Sequence, residues 1–162
     1  MKKDQTGEFI FHDLLLKIPY KWAAGEYTGE FLTALKETGK IYSSKCPACG
    51  RYSCPPRPVC GVCHTRLEPR EKWQAIGPKG TLLAFCVSEQ AFLVPNTGNM
   101  LEVPYSIGVI LLDGAPVTLQ HRLQETNLQK LKPGIRVEAV FKPAAERRGD
   151  IFDIIHFKTI GD

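Results

Sequence analysis

The sequence contains no long apolar run, no internal repeat and no low-complexity tract. No stretch approaches the roughly 20 apolar residues that a membrane-spanning helix needs, which excludes an integral membrane protein of that kind. The first part of the chain also has no continuous apolar core, because His12 and Asp13 separate the short apolar runs on either side of them. A secretory signal is therefore not predicted, and the reducing cytoplasm is the expected compartment.

The residues that usually carry catalysis are equally sparse. The sequence shows no nucleophile–base arrangement, no paired acids and no glycine-rich phosphate loop. The four histidines are scattered: His156 lies in an apolar stretch typical of a strand, and His121 is a candidate for a pocket-facing side chain. The 21 basic and 17 acidic residues give a net charge of +4, which suits a phosphorylated ligand without requiring nucleic acid. These features favour a binding or assembly subunit over a self-contained enzyme.

Six cysteines are present, and four of them form two C-x-x-C pairs separated by ten residues. Two such pairs can supply four thiolates to one tetrahedral metal ion, which leaves no open coordination position for catalysis. The predicted ligands of a structural zinc ion are Cys46, Cys49, Cys60 and Cys63. Gly50 follows the first pair, where a residue that tolerates positive φ is needed. His64 takes that place after the second pair, so this knuckle is expected to be less regular, with His64 as a candidate spare ligand.

Three other arrangements of these cysteines are chemically reasonable. An even number of cysteines suits a disulfide framework, but that framework requires an oxidising compartment. A redox-active C-x-x-C pair is expected beside a βαβ pattern, which the sequence does not show. A rubredoxin-type iron site uses the same four thiolates, so the spacing alone separates zinc from iron poorly. The remaining cysteines, Cys54 and Cys86, are predicted to be small buried apolar side chains.

A short amphipathic helix is predicted before the cysteines, over residues 29–37. Phe31, Leu32 and Leu35 recur at helical spacing, and Gly39 is a natural stop. The apolar face has two interpretations, because it can cap the domain's own core or dock on a partner.

The prolines between the cysteine pairs give Arg57 a special setting. Residues 55–58 read Pro-Pro-Arg-Pro, which excludes a helix and holds Arg57 on a stiff extended backbone. A guanidinium on such a backbone can be a solvated surface charge or a positioned partner for a carboxylate or phosphate.

Beyond residue 70 the sequence is a series of short apolar stretches separated by turn signals. One brief helix is predicted over residues 125–130. The predicted strands span residues 72–76, 81–88, 105–112, 117–123, 136–141 and 151–157. Such a series predicts a small closed or partly open barrel, for which the OB-fold is the best match. The predicted fold is mainly β, with an N-terminal helical extension (1–40), a rubredoxin-like zinc ribbon (41–70) and an OB-fold barrel (71–162).

This order of motifs resembles a family of zinc-ribbon/OB-fold proteins associated with acyl-CoA metabolism, formerly a domain of unknown function. The shared pattern is C-x-x-C-G, Pro-Pro-Arg, C-x-x-C, a tryptophan, a glycine turn and an apolar strand. In this chain those motifs lie at 46–50, 55–57, 60–63, Trp73, 77–80 and 82–87. Three later segments also resemble the family: 103–105, 112–114 and 132–137. The resemblance covers most of the chain, residues 20–158, and departs from the pattern at Cys54 and His64.

The resemblance implies a function. Proteins of this kind are usually small subunits beside a thiolase-fold partner that carries the acyl-transfer cysteine and its histidines. The implied role is a non-catalytic accessory subunit of a heteromeric thiolase, which binds structural Zn²⁺ and helps to form or gate the CoA or acyl-CoA site of the catalytic partner. Residues 18–25 also resemble the small subunits of benzoylsuccinyl-CoA thiolases of anaerobic aromatic degradation.

The implied CoA contacts involve cations and aromatic rings. Arg57 is the first candidate to bind the phosphates. The other candidate cations are Lys79, Arg122, Arg147 and Arg148. The candidate aromatic platforms for the adenine are Phe85, Phe92 and Tyr105.

Two further functions fit the same motifs. Zinc ribbons and OB barrels also bind single-stranded nucleic acid, but that role predicts a dense basic groove, and here the acidic residues are mixed through the strands. The chain can also be a pure scaffold, in which zinc stabilises a partner-binding surface without any contact to CoA. The expected partners are a thiolase-fold subunit and acyl-CoA, and neither nucleic acid nor a membrane.

Overall fold

A computed structural model describes residues 23–67, 70–93 and 99–161. Within these ranges lie one α-helix, eight β-strands and three 3₁₀ turns. The elements are α1 (Gly25–Thr38), β1 (Ile41–Lys45), β2 (Tyr52–Ser53), β3 (Gln74–Ile76), β4 (Lys79–Ser88), β5 (Tyr105–Leu112), β6 (Thr118–Leu123), β7 (Arg136–Phe141) and β8 (Ile154–Thr159), with 3₁₀ turns at Arg70–Lys72, Ala144–Glu146 and Ile151–Asp153. No helix in this part of the chain combines the length and the apolar character that a membrane span requires.

The strands form two sheets. A small antiparallel sheet has the order β2-β1-β3, and a closed barrel has the order β4-β5-β6-β8-β7. The barrel strands pair antiparallel except β6 and β8, which run parallel and meet at Leu123 and Phe157. A mainly β chain with a helix, a cysteine-bearing ribbon and a five-stranded OB barrel confirms the predicted fold class.

The helix α1 serves the core of this chain. Phe31, Ala34 and Leu35 are buried along one face, as the spacing predicted, and Phe31 and Leu35 are completely inaccessible to solvent. They join one continuous core with Ile41 of β1 and with the barrel interior. Each of these large side chains contributes about 1.5–3 kcal/mol when fully buried. Of the two interpretations of the helix face, the structure therefore supports packing on the chain's own core.

The end of α1 is fastened to the barrel by an arginine. Gly39 ends the helix with φ +64° and donates its N–H to the Leu35 carbonyl at 2.9 Å. The guanidinium of Arg147 lies over Gly39. It donates hydrogen bonds to the Lys36 carbonyl at 3.4 Å and to the Lys142 carbonyl at 2.9 Å. A Cβ at position 39 would come within 2.7 Å of Arg147 Nη1. Glycine therefore suits this position because of its left-handed conformation, and a larger residue would also require the Arg147 guanidinium to move.

Strand β4 contains an irregularity that the sequence pattern did not reveal. The register with β5 shifts between Leu82 and Ala84, which leaves Leu83 as a bulge. The bulge reverses the inside–outside alternation, so Phe85 packs against the core whereas Cys86 is exposed. The prediction that Cys86 is buried was wrong for this reason. Cys54 is buried as predicted, and burial raises the pKa of its thiol to about 12.

The helix predicted over residues 125–130 is replaced by turns. The Glu125 carboxylate accepts the Asn127 N–H at 2.9 Å, and the Asn127 side chain accepts the Gln129 N–H at 2.9 Å. Ser106 Oγ also donates to the Glu125 carbonyl at 2.7 Å. These side-chain to backbone bonds compete with helical hydrogen bonds, so the prediction was wrong.

The last strand begins at Ile154 instead of residue 151, because Asp153 organises the preceding loop. Its carboxylate is fully buried and accepts the backbone N–H groups of Arg148 at 2.9 Å, Gly149 at 2.7 Å and Asp150 at 3.4 Å. Lys142 Nζ lies 3.7 Å from the same carboxylate. Burial opposes ionisation of Asp153, but the three backbone donors outweigh it and lower its pKa.

Replacing Asp153 by asparagine is expected to lower the free energy of unfolding by about 3 kcal/mol, because the three backbone N–H groups lose their charged acceptor. The folded pKa lies below the unfolded value, so this stabilisation is present above the unfolded pKa of about 4 and is lost as pH falls through the folded pKa. Urea unfolding of wild type and variant between pH 7 and acid measures the difference. The exposed Glu146→Gln variant is the control. Equal stabilities of wild type and Asp153→Asn at pH 7 would contradict this assignment.

Candidate metal centre and adjoining cleft

The four cysteines lie in two knuckles that have the same backbone conformation. In the first, the Gly50 N–H donates to the Cys46 carbonyl at 2.9 Å; in the second, the His64 N–H donates to the Cys60 carbonyl at 3.1 Å. Gly50 has φ +70° and His64 has φ +57°, so His64 adopts the left-handed conformation that glycine adopts in the first knuckle. The second knuckle is thus as regular in its hydrogen bonds as the first, contrary to the expectation from its sequence.

The four cysteine sulfurs lie together between the knuckles. All four lie within 4.8 Å of one another, with Cys46 Sγ 3.5 Å from Cys63 Sγ and Cys49 Sγ 3.6 Å from Cys60 Sγ. A disulfide requires about 2.05 Å, so these thiols are not bridged pairwise. A tetrahedral metal ion with bonds of about 2.3 Å to sulfur requires sulfurs about 3.8 Å apart. The spacing and the donor chemistry therefore fit a closed four-thiolate site, and His64 is not a member of the cluster.

The pKa values of the cysteine thiols are shifted in different directions by their surroundings. Hydrogen bonds from the Thr65 side chain and then from its backbone lower the pKa of Cys63 to about 6, and backbone N–H groups lower that of Cys60. The backbone N–H of Arg51 favours the thiolate of Cys49, but burial and the three neighbouring thiols outweigh it and raise its pKa to about 11. Four adjacent thiolates repel one another, and a bound dication removes that repulsion.

Little apolar packing supports this part of the chain. Cys46 and Cys60 pack with Leu67 in a small buried cluster separate from the main core. The Leu67 N–H donates to the Pro58 carbonyl at 3.0 Å, and the Tyr27 hydroxyl donates to the Leu67 carbonyl at 3.4 Å. A segment with so small a core depends on a cross-link for its stability.

A cleft of about 360 Å³ lies beside the knuckles, between the ribbon and the barrel. Arg57, predicted as the cofactor-binding residue, lines this cleft together with Arg51. The barrel contributes Val117 and Thr118, and the ribbon contributes the rest of the wall. Sequence reasoning did not single out Arg51; the signal that could have found it is the absence of acidic residues between Glu37 and Glu68.

The other candidate contacts are dispersed over the molecule, and none of them lines the cleft. Arg147 fastens α1, and Arg122 lies 5.9 Å from the centre of the Tyr105 ring. Lys79 is an exposed side chain near Asp113, and Arg148 is exposed in the loop that Asp153 organises.

The two histidines in the barrel strands have different settings. His121 is buried against Phe157, its Nε2–H donates to the Ile151 carbonyl at 3.2 Å, and burial lowers its pKa. His156 is partly buried, which also lowers its pKa. Among the described residues, the hydrogen-bond partner of the His121 ring is a backbone carbonyl and not a nucleophilic side chain.

Two family models match the chain. One is described as the rubredoxin-like zinc ribbon domain of ChsH2 and matches residues 34–68; the other is described as the C-terminal OB-fold domain of ChsH2 and matches residues 73–142. Together they cover well over half of the chain. The chain belongs to the ChsH2 family. The zinc-ribbon/OB-fold resemblance predicted from the motifs is thereby confirmed.

Two solved structures have a fold similar to that of this chain. The chain is similar to a structure described as the Ltp2-ChsH2(DUF35) aldolase, with a TM-score of 0.58 and 17% identity, over 86% of this chain and 98% of that chain. It is also similar to a DUF35-family protein of unknown function from Sulfolobus solfataricus, with a TM-score of 0.50 and 20% identity, over 80% of this chain and 81% of that chain. At these identities the likeness shows the fold alone.

Proposed function

We propose that this chain is the non-catalytic accessory subunit of a heteromeric thiolase. Its thiolase-fold partner carries the acyl-transfer residues, and this chain helps to form or gate the CoA or acyl-CoA site of that partner. The observation that carries the proposal is membership of the ChsH2 family, one of whose solved relatives is described together with Ltp2 as an aldolase. The four-thiolate site supports it, because a closed tetrahedral zinc ion stabilises a fold and offers no position to a substrate.

The metal in this proposal is a structural Zn²⁺ ion. Its ligands are Cys46, Cys49, Cys60 and Cys63, whose sulfurs have the separations that a tetrahedral site needs. When bound, the ion supplies cross-linking and charge balance for the ribbon. The Thr65 side chain and then its backbone N–H favour the thiolate of Cys63, and backbone N–H groups favour that of Cys60.

The partner-binding surface in this proposal is the hairpin between β4 and β5. We define this hairpin arm as residues 89–93 and 99–104. Leu93 pairs with Met100 in an isolated antiparallel bridge, and the Leu101 N–H donates to the Phe92 carbonyl at 2.7 Å, so the two described segments of the arm contact each other. Its exposed apolar side chains are Phe92, Leu93, Met100 and Val103, which are 50%, 62%, 58% and 42% exposed.

The composition of the arm argues for a protein occupant. Aromatic and methionine side chains are enriched at protein interfaces, and contiguous exposed apolar groups mark docking sites. The arm continues into the outer face of the barrel, where Cys86 and Ile107 pair across β4 and β5 and are also exposed. We assign this surface to the catalytic subunit, because α1 is already occupied by the chain's own core.

Within this class we propose benzoylsuccinyl-CoA, of anaerobic aromatic degradation, as the first acyl substrate to test. The support is the resemblance of residues 18–25, of which 18–22 lie outside the described residues.

We expect a thiolase-fold protein to be encoded beside this chain, and co-expression of the two is expected to give a stable heteromer. The two proteins should elute together in size-exclusion chromatography, and native mass spectrometry should give a fixed stoichiometry. A thiolase from an unrelated pathway serves as the control and should elute separately. Separate elution of the neighbouring thiolase and this chain at micromolar concentration would contradict the proposal.

A further inference from the structure

The ribbon carries a surplus of positive charge. Between Glu37 and Glu68 there is no acidic residue, whereas five basic side chains occur there: Lys40, Lys45, Arg51, Arg57 and Arg66. A zinc ion with four thiolates has a net charge of −2, so the basic residues exceed what the metal site needs for neutrality. The excess charge is available to an anionic ligand.

Two of these basic residues line the same cleft. Arg51 and Arg57 both line the cleft between ribbon and barrel. Neither guanidinium has an ion-pair or hydrogen-bond partner among the described residues, whereas Arg70, Arg136 and Arg147 are each engaged by acidic groups or carbonyls. Unpaired arginines that share a concave site are the usual recognition element for phosphate, because the guanidinium fork fits its oxygens.

The walls of the cleft suit a small ligand. Val62, Leu67 and Val117 add apolar surface, Ser53 and Thr118 add hydroxyl groups, and the cleft volume of about 360 Å³ falls within the range of small-molecule sites. The proline-rich backbone on either side of Arg57 restricts its main chain, and Nη1 of Arg57 comes within 3.5 Å of the position a Cβ of Gly61 would take. The Arg57 side chain is exposed, but its restricted main chain lowers the entropy that this segment loses when a ligand binds.

We propose that the Arg51–Arg57 cleft of this chain is a binding site for a phosphorylated small molecule of nucleotide size. The two guanidinium groups hold its phosphates, and the apolar wall holds the remainder. The site exists in this chain alone, which goes beyond the accessory role proposed above; only its occupation by CoA rests on the proposed function.

A nucleic-acid strand fits these observations less well. Strand-binding surfaces combine a long basic groove with several exposed aromatic rings. Among the described residues only two cations, Arg51 and Arg57, line the cleft. On the outer face of β6 the uncharged Thr118 and Gln120 come before Arg122, which lies beside the Tyr105 ring instead of in the cleft.

The test is a titration of the zinc-loaded full chain at low salt by isothermal calorimetry. The probes are adenosine 3′,5′-bisphosphate, adenosine, inorganic phosphate, CoA and a 15-nucleotide single-stranded DNA. The bisphosphate is expected to bind and adenosine is not. The double variant Arg51→Gln/Arg57→Gln is expected to weaken binding of the bisphosphate by roughly tenfold or more, since two charge-assisted contacts are lost. Arg66→Gln, a ribbon arginine on a different surface groove, is the matched control and should stay near the wild-type affinity.

Two readouts keep the result independent of folding defects. Zinc content and thermal melting verify each variant, and amide NMR shifts in the wild type should localise bisphosphate binding to residues 51–62, 117 and 118. No bisphosphate binding, an unaffected double variant or shifts elsewhere would each overturn the proposal. Tighter binding of the DNA through the same arginines would also overturn it, in favour of a strand-binding surface.

The CoA probe separates this proposal from the accessory role. Binding of the bisphosphate without binding of CoA would leave the phosphate site standing and remove CoA as its occupant. Binding of both by a chain that forms no heteromer would support the site and contradict the accessory role alone.

Discussion

Replacing Cys46 by serine is expected to abolish stoichiometric zinc binding and to unfold the ribbon. Cys46 is almost completely buried, and its N–H donates to the Arg51 carbonyl at 2.8 Å, so its sulfur belongs to both the cluster and the turn that presents the cluster. Structural zinc provides on the order of 10 kcal/mol of binding free energy in small domains. The cluster of Cys46, Cys60 and Leu67 is too small to replace that stabilisation.

The measurement is metal per chain by elemental analysis, combined with hydrogen exchange of the ribbon amides. The wild type should contain one zinc ion per chain, and Cys46→Ser should contain none while the barrel amides remain protected. Cys86→Ser is the matched control, because Cys86 is exposed on β4, outside the metal cluster. Retention of one tightly bound ion by Cys46→Ser would refute the assignment of the four ligands.

Replacing Leu93 by aspartate is expected to prevent assembly with the catalytic subunit. The Leu93 side chain is 62% exposed in the hairpin arm, so the substitution leaves the core of this chain untouched. In a complex that buries the arm, the carboxylate would lose its hydration without an assured partner, which costs several kcal/mol. A loss of about 3 kcal/mol corresponds to an affinity reduced more than 100-fold.

Analytical ultracentrifugation of the co-expressed proteins measures this effect. Leu128→Asp is the matched control, because Leu128 is 59% exposed but lies in the loop between β6 and β7. Only the Leu93 variant should dissociate. If both variants assemble like the wild type, the arm is not the docking surface, and the accessory role would then require another surface on this chain.

Local sequence signals predicted most of the fold. The strands at 105–112 and 136–141 have the predicted bounds, because turn residues with strong conformational preferences flank them. The spacing of the cysteines identified the four residues that the structure brings together. Gly39 correctly marked the end of the helix, since it must adopt positive φ there.

The failures arose where tertiary structure overrides a local pattern. The bulge at Leu83 depends on how β4 pairs with β5, so the exposure of Cys86 was hidden from a simple alternation. The turns at Glu125 and Asn127 depend on side-chain bonds that favour neither helix nor strand. The cleft combines Arg51 and Arg57 with barrel residues that are far from them in the sequence, and no spacing in the sequence predicts that they lie close together.

The activity of the separated and recombined subunits tests the accessory role of this chain. We expect that this chain alone does not cleave a β-ketoacyl-CoA in the presence of CoA, that the thiolase-fold subunit alone is weakly active or inactive, and that mixing the two restores thiolysis. Cleavage of the substrate by the purified chain alone, in preparations free of thiolase, would contradict the non-catalytic role.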